Sequence, residues 1–156
     1  MKAGELSTSS NQVLAGLSAE DHSLVAPFLN RIDLPVRMMI ERHHQIYDSV
    51  YFLESGLASV VAATSLDRRL EVGIIGPEGM TGLSAVLCGG RSANDCYMQI
   101  GGNGLKMSCS ALAQVMDASE TLRKRLLCYA QAFLTQMSQT ALANGRAQIE
   151  ERLARW

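Results

Sequence analysis

The chain changes its hydrophobic period once, and that change constrains the fold more than any other feature. From Arg31 to about Met107 the apolar residues come in short runs separated by turn residues; after Cys109 they recur every three or four positions. Ile32, Leu34 and Val36 alternate with charged or turn residues. Val50-Tyr51-Phe52-Leu53 and Ala58-Ser59-Val60-Val61-Ala62 flank a Glu54-Ser55-Gly56 turn. Leu70-Glu71-Val72-Gly73-Ile74 follows a Ser65-Leu66-Asp67-Arg68 turn. Cys96-Tyr97-Met98-Gln99-Ile100 and Leu105-Lys106-Met107 are split by Gly101-Gly102-Asn103-Gly104. Short strands with closely spaced turn signals predict a closed or rolled antiparallel sheet. Before it, Ser18 and Asp21 mark the start of a short helix carrying Leu24, Phe28 and Leu29, which Pro27 limits or bends.

The helical part begins at Asp117 and Glu120, which have the spacing of a capping box. Leu122, Leu126, Ala130, Phe133, Met137 and Ala141 follow at spacings of three or four, and Asn144-Gly145 reads as a left-handed stop. Such a helix extends about 40 Å at 1.5 Å per residue, too long for one small β-roll to cover. A stripe of that length is either exposed or paired with a copy of itself. The expected dimer interface is Leu126, Ala130, Phe133, Met137 and Ala141. From Ala147 another amphipathic pattern starts with Ile149, Leu153 and Trp156, and no capping residue closes it. This divides the chain into N-terminal helices with a β-roll over residues 1–116, a dimerisation helix over 117–145, and the start of a further helix over 146–156.

Composition removes several function classes. A net charge of −1 offers no basic excess for phosphate contacts, so these residues are not expected to bind DNA themselves. The N-terminus lacks the apolar core of a signal peptide and no apolar run spans a bilayer, which predicts a cytoplasmic protein without a membrane partner. Cys88, Cys96, Cys109 and Cys128 are irregularly spaced and read as buried thiols. No cysteine precedes Cys88, which excludes an iron–sulfur cluster built on an N-terminal cysteine group. His43-His44 invites a metal reading, but neighbours on a strand face opposite ways and no His-x-His with a spaced glutamate is present. Neither a metal site nor a catalytic set is expected, and the chain is not read as an enzyme.

The segment Gly73 to Ala93 carries the chemistry. Glycines at 73, 76, 79, 82, 89 and 90 surround a short apolar run, and Arg91-Ser92-Ala93 follows. Glycines leave backbone N–H groups free for close approach, and arginine offers a planar fork of donors suited to phosphate. A short helix between them would aim its N-terminus at the same point. The segment is a candidate pocket for a small phosphorylated ligand. It is not a Walker loop, because no Gly-Lys-Ser/Thr follows. The competing reading is a glycine-rich turn whose Arg91 is exposed or pairs with Glu78 or Asp95.

Taken together, Val50 to Gly56, Glu71 to Leu83, Gly90-Arg91-Ser92, Thr140 to Arg146 and Ile149 to Trp156 resemble the Crp/Fnr family of bacterial transcription regulators. The resemblance runs from about Asn11 to Trp156. It implies a mainly β fold with flanking helices: an antiparallel β-roll of the cyclic-nucleotide-binding type, plus a long C-terminal dimerisation helix. It implies a homodimer that reaches DNA only through a winged helix-turn-helix not contained in this chain. The ligand positions it points to are Gly79, Met80, Gly82, Leu83, Arg91, Ser92, Ala93 and Ser138. Arg91 and Ser92 match the pair that holds the cyclic phosphate. Met80 stands where cyclic-AMP-binding members have a glutamate for the ribose hydroxyl, and Glu78 is out of register. Met137-Ser138 stands where those members place Thr-Ser against the adenine. A methionine accepts no strong hydrogen bond, so the domain is not expected to use cyclic AMP in the usual way. Another small anionic effector at Arg91, or no small molecule, is expected instead. The alternative is a cyclic-nucleotide-binding regulatory module that stands alone or is attached to another effector domain.

Overall fold

The computed structural model describes residues 9–65, 68–87 and 90–146. Asn11 opens a one-turn helix α1 (Gln12–Ala15) by accepting from the Leu14 amide. Ser18 caps α2 (Ala19–Val25) through the Asp21 amide, and a 3₁₀ turn at Ala26–Phe28 holds Pro27 where its missing N–H does no harm. Seven strands follow: β1 (Asn30–Leu34), β2 (Met39–Glu41), β3 (Ser49–Leu53), β4 (Leu57–Ser65), β5 (Arg68–Ile75), β6 (Asp95–Ile100) and β7 (Gly102–Ser108). Helix α3 (Leu83–Leu87) interrupts them, and α4 (Cys109–Ala118) and α5 (Glu120–Arg146) complete the described chain.

All pairings are antiparallel, in one sheet of order β1-β7-β3 and a second of order β2-β6-β4-β5. Leu34, Leu53, Val60, Ile75, Cys96 and Met98, drawn from both sheets, form one core cluster that Phe133 of α5 closes. The other cluster packs Phe52, Leu105 and Met107 against Leu14, Val25, Leu112, Leu122 and Leu126 of the helices. The rolled antiparallel sheet with flanking helices is therefore the observed architecture.

Several local expectations shift. Helix α1 and strand β2 carry too little periodicity to be seen in sequence. Asp117 lies inside α4, and the helical run breaks one residue before Glu120, where Ser119 is extended and its hydroxyl accepts from the Leu122 amide. Serine competes for backbone donors and so ends one helix while capping the next. Asn144-Gly145 does not stop α5, which runs to Arg146; Asn144 instead donates to the Glu71 carbonyl. Val36 is exposed beyond the end of β1. Cys96 is buried and Cys109 partly so, but Cys128 is exposed on α5. The Leu66-Asp67 turn, Cys88, Gly89 and the helix from Ala147 lie outside the described residues.

The apolar stripe of α5 has a partner within its own chain. Leu126, Ala130 and Phe133 are at most 6% exposed, and Met137 packs on the cluster that joins the two sheets. Four of the five expected interface residues thus face the β-roll, because the helix lies along it rather than projecting past it. Ala141 alone of the five is exposed. Any pairing surface must lie on the other flank.

Asn11 is fully buried and ties α1 to the roll, donating to the carbonyls of Leu53 and Gly79. Asn11→Ala orphans two buried carbonyls and removes a helix cap. Each orphaned group costs about 1–3 kcal/mol, so urea unfolding is expected to show a loss of several kcal/mol. A loss below about 0.5 kcal/mol, the range of ordinary surface changes, would refute this role.

Candidate functional site

The loop Gly79–Gly82 leaves β5 and enters α3 through the buried middle of the molecule. Its backbone has no strand neighbour beyond one isolated bridge between Met80 and Phe52, so its polar groups depend on other partners. The Tyr129 hydroxyl supplies two bonds, accepting from the Met80 amide at 3.0 Å and donating to the Met80 carbonyl at 2.7 Å. Gly79 makes this approach possible, since a Cβ there would stand 2.6 Å from that hydroxyl. Thr81 donates its amide to the Tyr51 carbonyl while its hydroxyl accepts from the Tyr51 amide. Gly82 has φ +82°, a left-handed conformation that favours glycine, and its amide donates to Glu41 Oε1 at 2.8 Å.

Glu41 is the unexpected member. In a regular strand Ile40 and Glu41 would face opposite ways, yet both are buried. The β2–β6 pairing is irregular between Met39 and Glu41, and this bulge turns the glutamate inward. Its Oε2 lies 2.7 Å from the Ser92 hydroxyl. Burial pushes the carboxyl up from its ordinary 4.5, against the opposing effect of its hydrogen bonds with Ser92 and Gly82. Tyr47, Cys96, Cys109 and Tyr129 are all pushed up mainly by burial, with a further upward effect from Glu41 itself, and all stay uncharged at neutral pH. Tyr47, raised to about 12, accepts from the Ala85 amide and so holds the far side of α3.

Beside Glu41 lies a cavity of about 50 Å³. Val60, Ile75, Leu83, Cys96, Phe133 and Met137 give it apolar walls, with Glu41, Ser92 and Asn94 at the polar end. Pockets for drug-sized ligands are on the order of 300–1,000 Å³, so this space is nearly filled.

Of the candidate ligand residues, Gly82, Leu83, Ser92 and Ala93 line the cavity. Gly79 stands behind it, and the Met80 side chain is buried in the other core cluster. Ser138 is exposed on α5, where it donates to the Leu134 carbonyl; Phe133 and Met137 take the inward positions. Arg91 is exposed and turned outward, donating to the His44 carbonyl at 2.8 Å. It pairs with neither expected acid: Asp95 takes Arg69, and Glu78 accepts from the Gly76 amide. His43 and His44 sit in a turn rather than a strand, with His44 at φ +61° and the two rings 3.6 Å apart. The His43 Nδ1–H donates to the Ala93 carbonyl. Among the described residues no cluster of three or more His, Cys, Asp or Glu side chains could hold a metal ion, and no helix is long and apolar enough to cross a membrane.

No protein-family model matches the chain, and no curated protein matches it. Solved structures do. A cyclic nucleotide-binding domain from Methylobacillus flagellatus superposes with a TM-score of 0.72 at 16% identity, covering 94% of this chain and 86% of that one. This chain has the cyclic-nucleotide-binding fold. The c-di-GMP responsive global regulator CLP of Xanthomonas campestris matches with a TM-score of 0.69 at 18% identity, over 88% of this chain and 70% of its own. The catabolite activator protein of Thermus thermophilus matches with a TM-score of 0.65 at 15% identity, over 84% and 61%. At these identities the likeness to cyclic-nucleotide-binding domains carries the fold and leaves the ligand to the residues themselves.

Within this fold the elevated pKa of Glu41 makes a signed prediction. The native state holds a proton that the unfolded chain has released, so stability falls as pH rises from 4.5 through the elevated value. Below 4.5 the contribution is fully present. Glu41→Gln removes the titration and is expected to flatten this part of the profile in urea unfolding from pH 4.5 to neutrality. Superimposable profiles for the two proteins would show that Glu41 ionises normally.

Proposed function

We propose that this domain is the effector-sensing and dimerising part of a Crp/Fnr-like transcription regulator. An event in the β-roll changes how paired α5 helices pack, and so orients a DNA-binding domain carried by the remainder of such a regulator. The Tyr129 hydroxyl is the observation that carries this reading. It binds both backbone polar groups of Met80, so the loop beside the cavity and the long helix move together. The regulators among the structural neighbours, CLP and the catabolite activator protein, support the assignment at the level of fold.

The outward flank of α5 supports the pairing. Leu127, Leu134 and Ala141 recur at heptad spacing, with Gln131 and Ser138 between them, and all five are exposed. Leu127 and Leu134 are 42% and 39% exposed, unusual for leucines on a helix whose other face is core. Leucine at every seventh position with small or polar residues between is the pattern of a two-helix seam. The occupant proposed for it is a second copy of this chain, because the seam is self-complementary under a two-fold axis.

Two outcomes are expected. The double variant Leu127→Glu, Leu134→Glu becomes monomeric in light scattering while its near-UV circular dichroism stays native, since neither side chain is in the core. A variant that remains dimeric would remove the pairing. Tyr129→Phe keeps the ring packed beside Phe133 but deprives Met80 of both partners. It is expected to destabilise the fold by about 2–4 kcal/mol, the range for losing two buried bonds, and urea unfolding measures it. An unchanged midpoint would mean that the loop and helix are not tied there.

A further inference from the structure

We infer that Glu41 is the specificity-determining residue of the cavity: its side chain occupies the place an anionic ligand would take and closes the domain to cyclic nucleotides and other phosphorylated effectors. The inference rests on the reading above that the β-roll is a sensor pocket. The groups in this region that could hold an anion include the Gly82 amide, the Ser92 hydroxyl and the Arg91 guanidinium. The first two bind Glu41, at 2.8 and 2.7 Å, and the third is turned outward onto the His44 carbonyl. Glu41 is 8% exposed and Ser92 3%, so their contact is inside the protein rather than at its surface. The space left beside them is about 50 Å³, walled by Phe133 and Met137.

Hydrogen counting explains how a carboxyl is tolerated there without a cation. Ser92 Oγ lies 2.7 Å from Glu41 Oε2 and 2.6 Å from the Asn94 carbonyl oxygen. A hydroxyl has one hydrogen, and a peptide carbonyl has none to give. With Glu41 ionised, that one hydrogen is shared between two acceptors; with Glu41 protonated, Ser92 gives it to Asn94 and the carboxyl donates to Ser92. The chain then runs from the Gly82 amide to Glu41, from Glu41 to Ser92, and from Ser92 to Asn94, with each donor used once. A neutral carboxyl needs no counter-charge, which agrees with the uncharged groups around it. The same arrangement disfavours phosphate twice over, by filling its volume and by engaging the Gly82 amide and the Ser92 hydroxyl.

The test compares the wild-type chain with Glu41→Ala, Glu41→Asp and Glu41→Gln. Cyclic AMP and inorganic phosphate are titrated calorimetrically, and melting temperature is followed against acetate and phosphate. Wild type is expected to show no saturable binding and no anion-dependent rise in melting temperature. Glu41→Ala opens the space, so acetate and phosphate are expected to raise its melting temperature in a saturable way that Ser92→Ala abolishes. Where Glu41→Ala does not fold, Glu41→Asp, one methylene shorter, makes the same comparison. Glu41→Gln refills the space and donates to Ser92, so it is expected to behave as wild type. Saturable cyclic AMP binding by wild type would overturn the inference. So would an alanine or aspartate variant as indifferent to anions as wild type, or a glutamine variant that binds phosphate. Loss of helix pairing in light scattering would bear on the sensing reading alone and leave these titrations standing.

Discussion

Four buried residues of irregular backbone, Gly79 to Gly82, set the requirement that the rest of this molecule meets. A loop in the interior cannot turn to water for its hydrogen bonds, and no neighbouring strand provides more than one bridge. Several of these groups are met from different parts of the chain. Asn11 at the start of α1 takes the Gly79 carbonyl, Tyr129 on α5 takes both groups of Met80, Tyr51 on β3 exchanges with Thr81, and Glu41 on β2 takes the Gly82 amide. Among the described residues no buried side-chain nitrogen or oxygen is left without a partner. The N-terminal helix, both sheets and the long helix converge on one loop because that loop cannot satisfy itself.

The same requirement explains the polar groups elsewhere in the interior. Asp21 caps the α4–α5 junction rather than a ligand. Burial works against its charge, but the hydroxyls of Ser119, Thr121 and Ser18 and the neighbouring His22 together hold it below 3.8. The His22 Nε2–H donates to the Leu14 carbonyl. These bonds fix where α5 begins, and the position of Tyr129 about two and a half turns later follows from that. Phe133 and Met137 then fall at the cavity, one helical turn apart, close against Gly73.

The strands other than β2, the long helix and the glycine loop were legible because each rests on periodicity or on a backbone need that sequence displays directly. The short apolar runs Val50–Leu53 and Ala58–Ala62 became β3 and β4, and Ser18 capped its helix. Misread features have a common cause: they depend on which way a side chain turns. Glu41, after Met38-Met39-Ile40, drew no reading at all, because only the bulge in β2 turns it inward. Arg91 has the neighbours of a phosphate ligand but leaves the pocket for a carbonyl in the 42–46 turn. The stripe from Leu126 to Met137 is apolar whether it meets a second helix or its own β-roll, and sequence does not separate the two. The only advance sign of Glu41 was a lone carboxylate closing an apolar run.

A loop held at both ends limits the motions open to it. Shifting Gly79–Gly82 while its partners stay in place orphans several buried groups, each costing about 1–3 kcal/mol. Tyr129 keeps its bonds to Met80 only where α5 shifts with the loop, and α5 is itself held by Arg125 on α1, by Asn144 on β5 and by Leu126, Ala130 and Phe133 in the core. Asn11 and Tyr51 belong to elements fixed by the core and by β7, so they resist such a shift. The change that the proposed sensing would use is therefore small and confined to α5 with the Met80 end of the loop. Two such arrangements would differ by the strain on one or two hydrogen bonds. That is the few kcal/mol over which differential stabilisation of one state can shift a population between them.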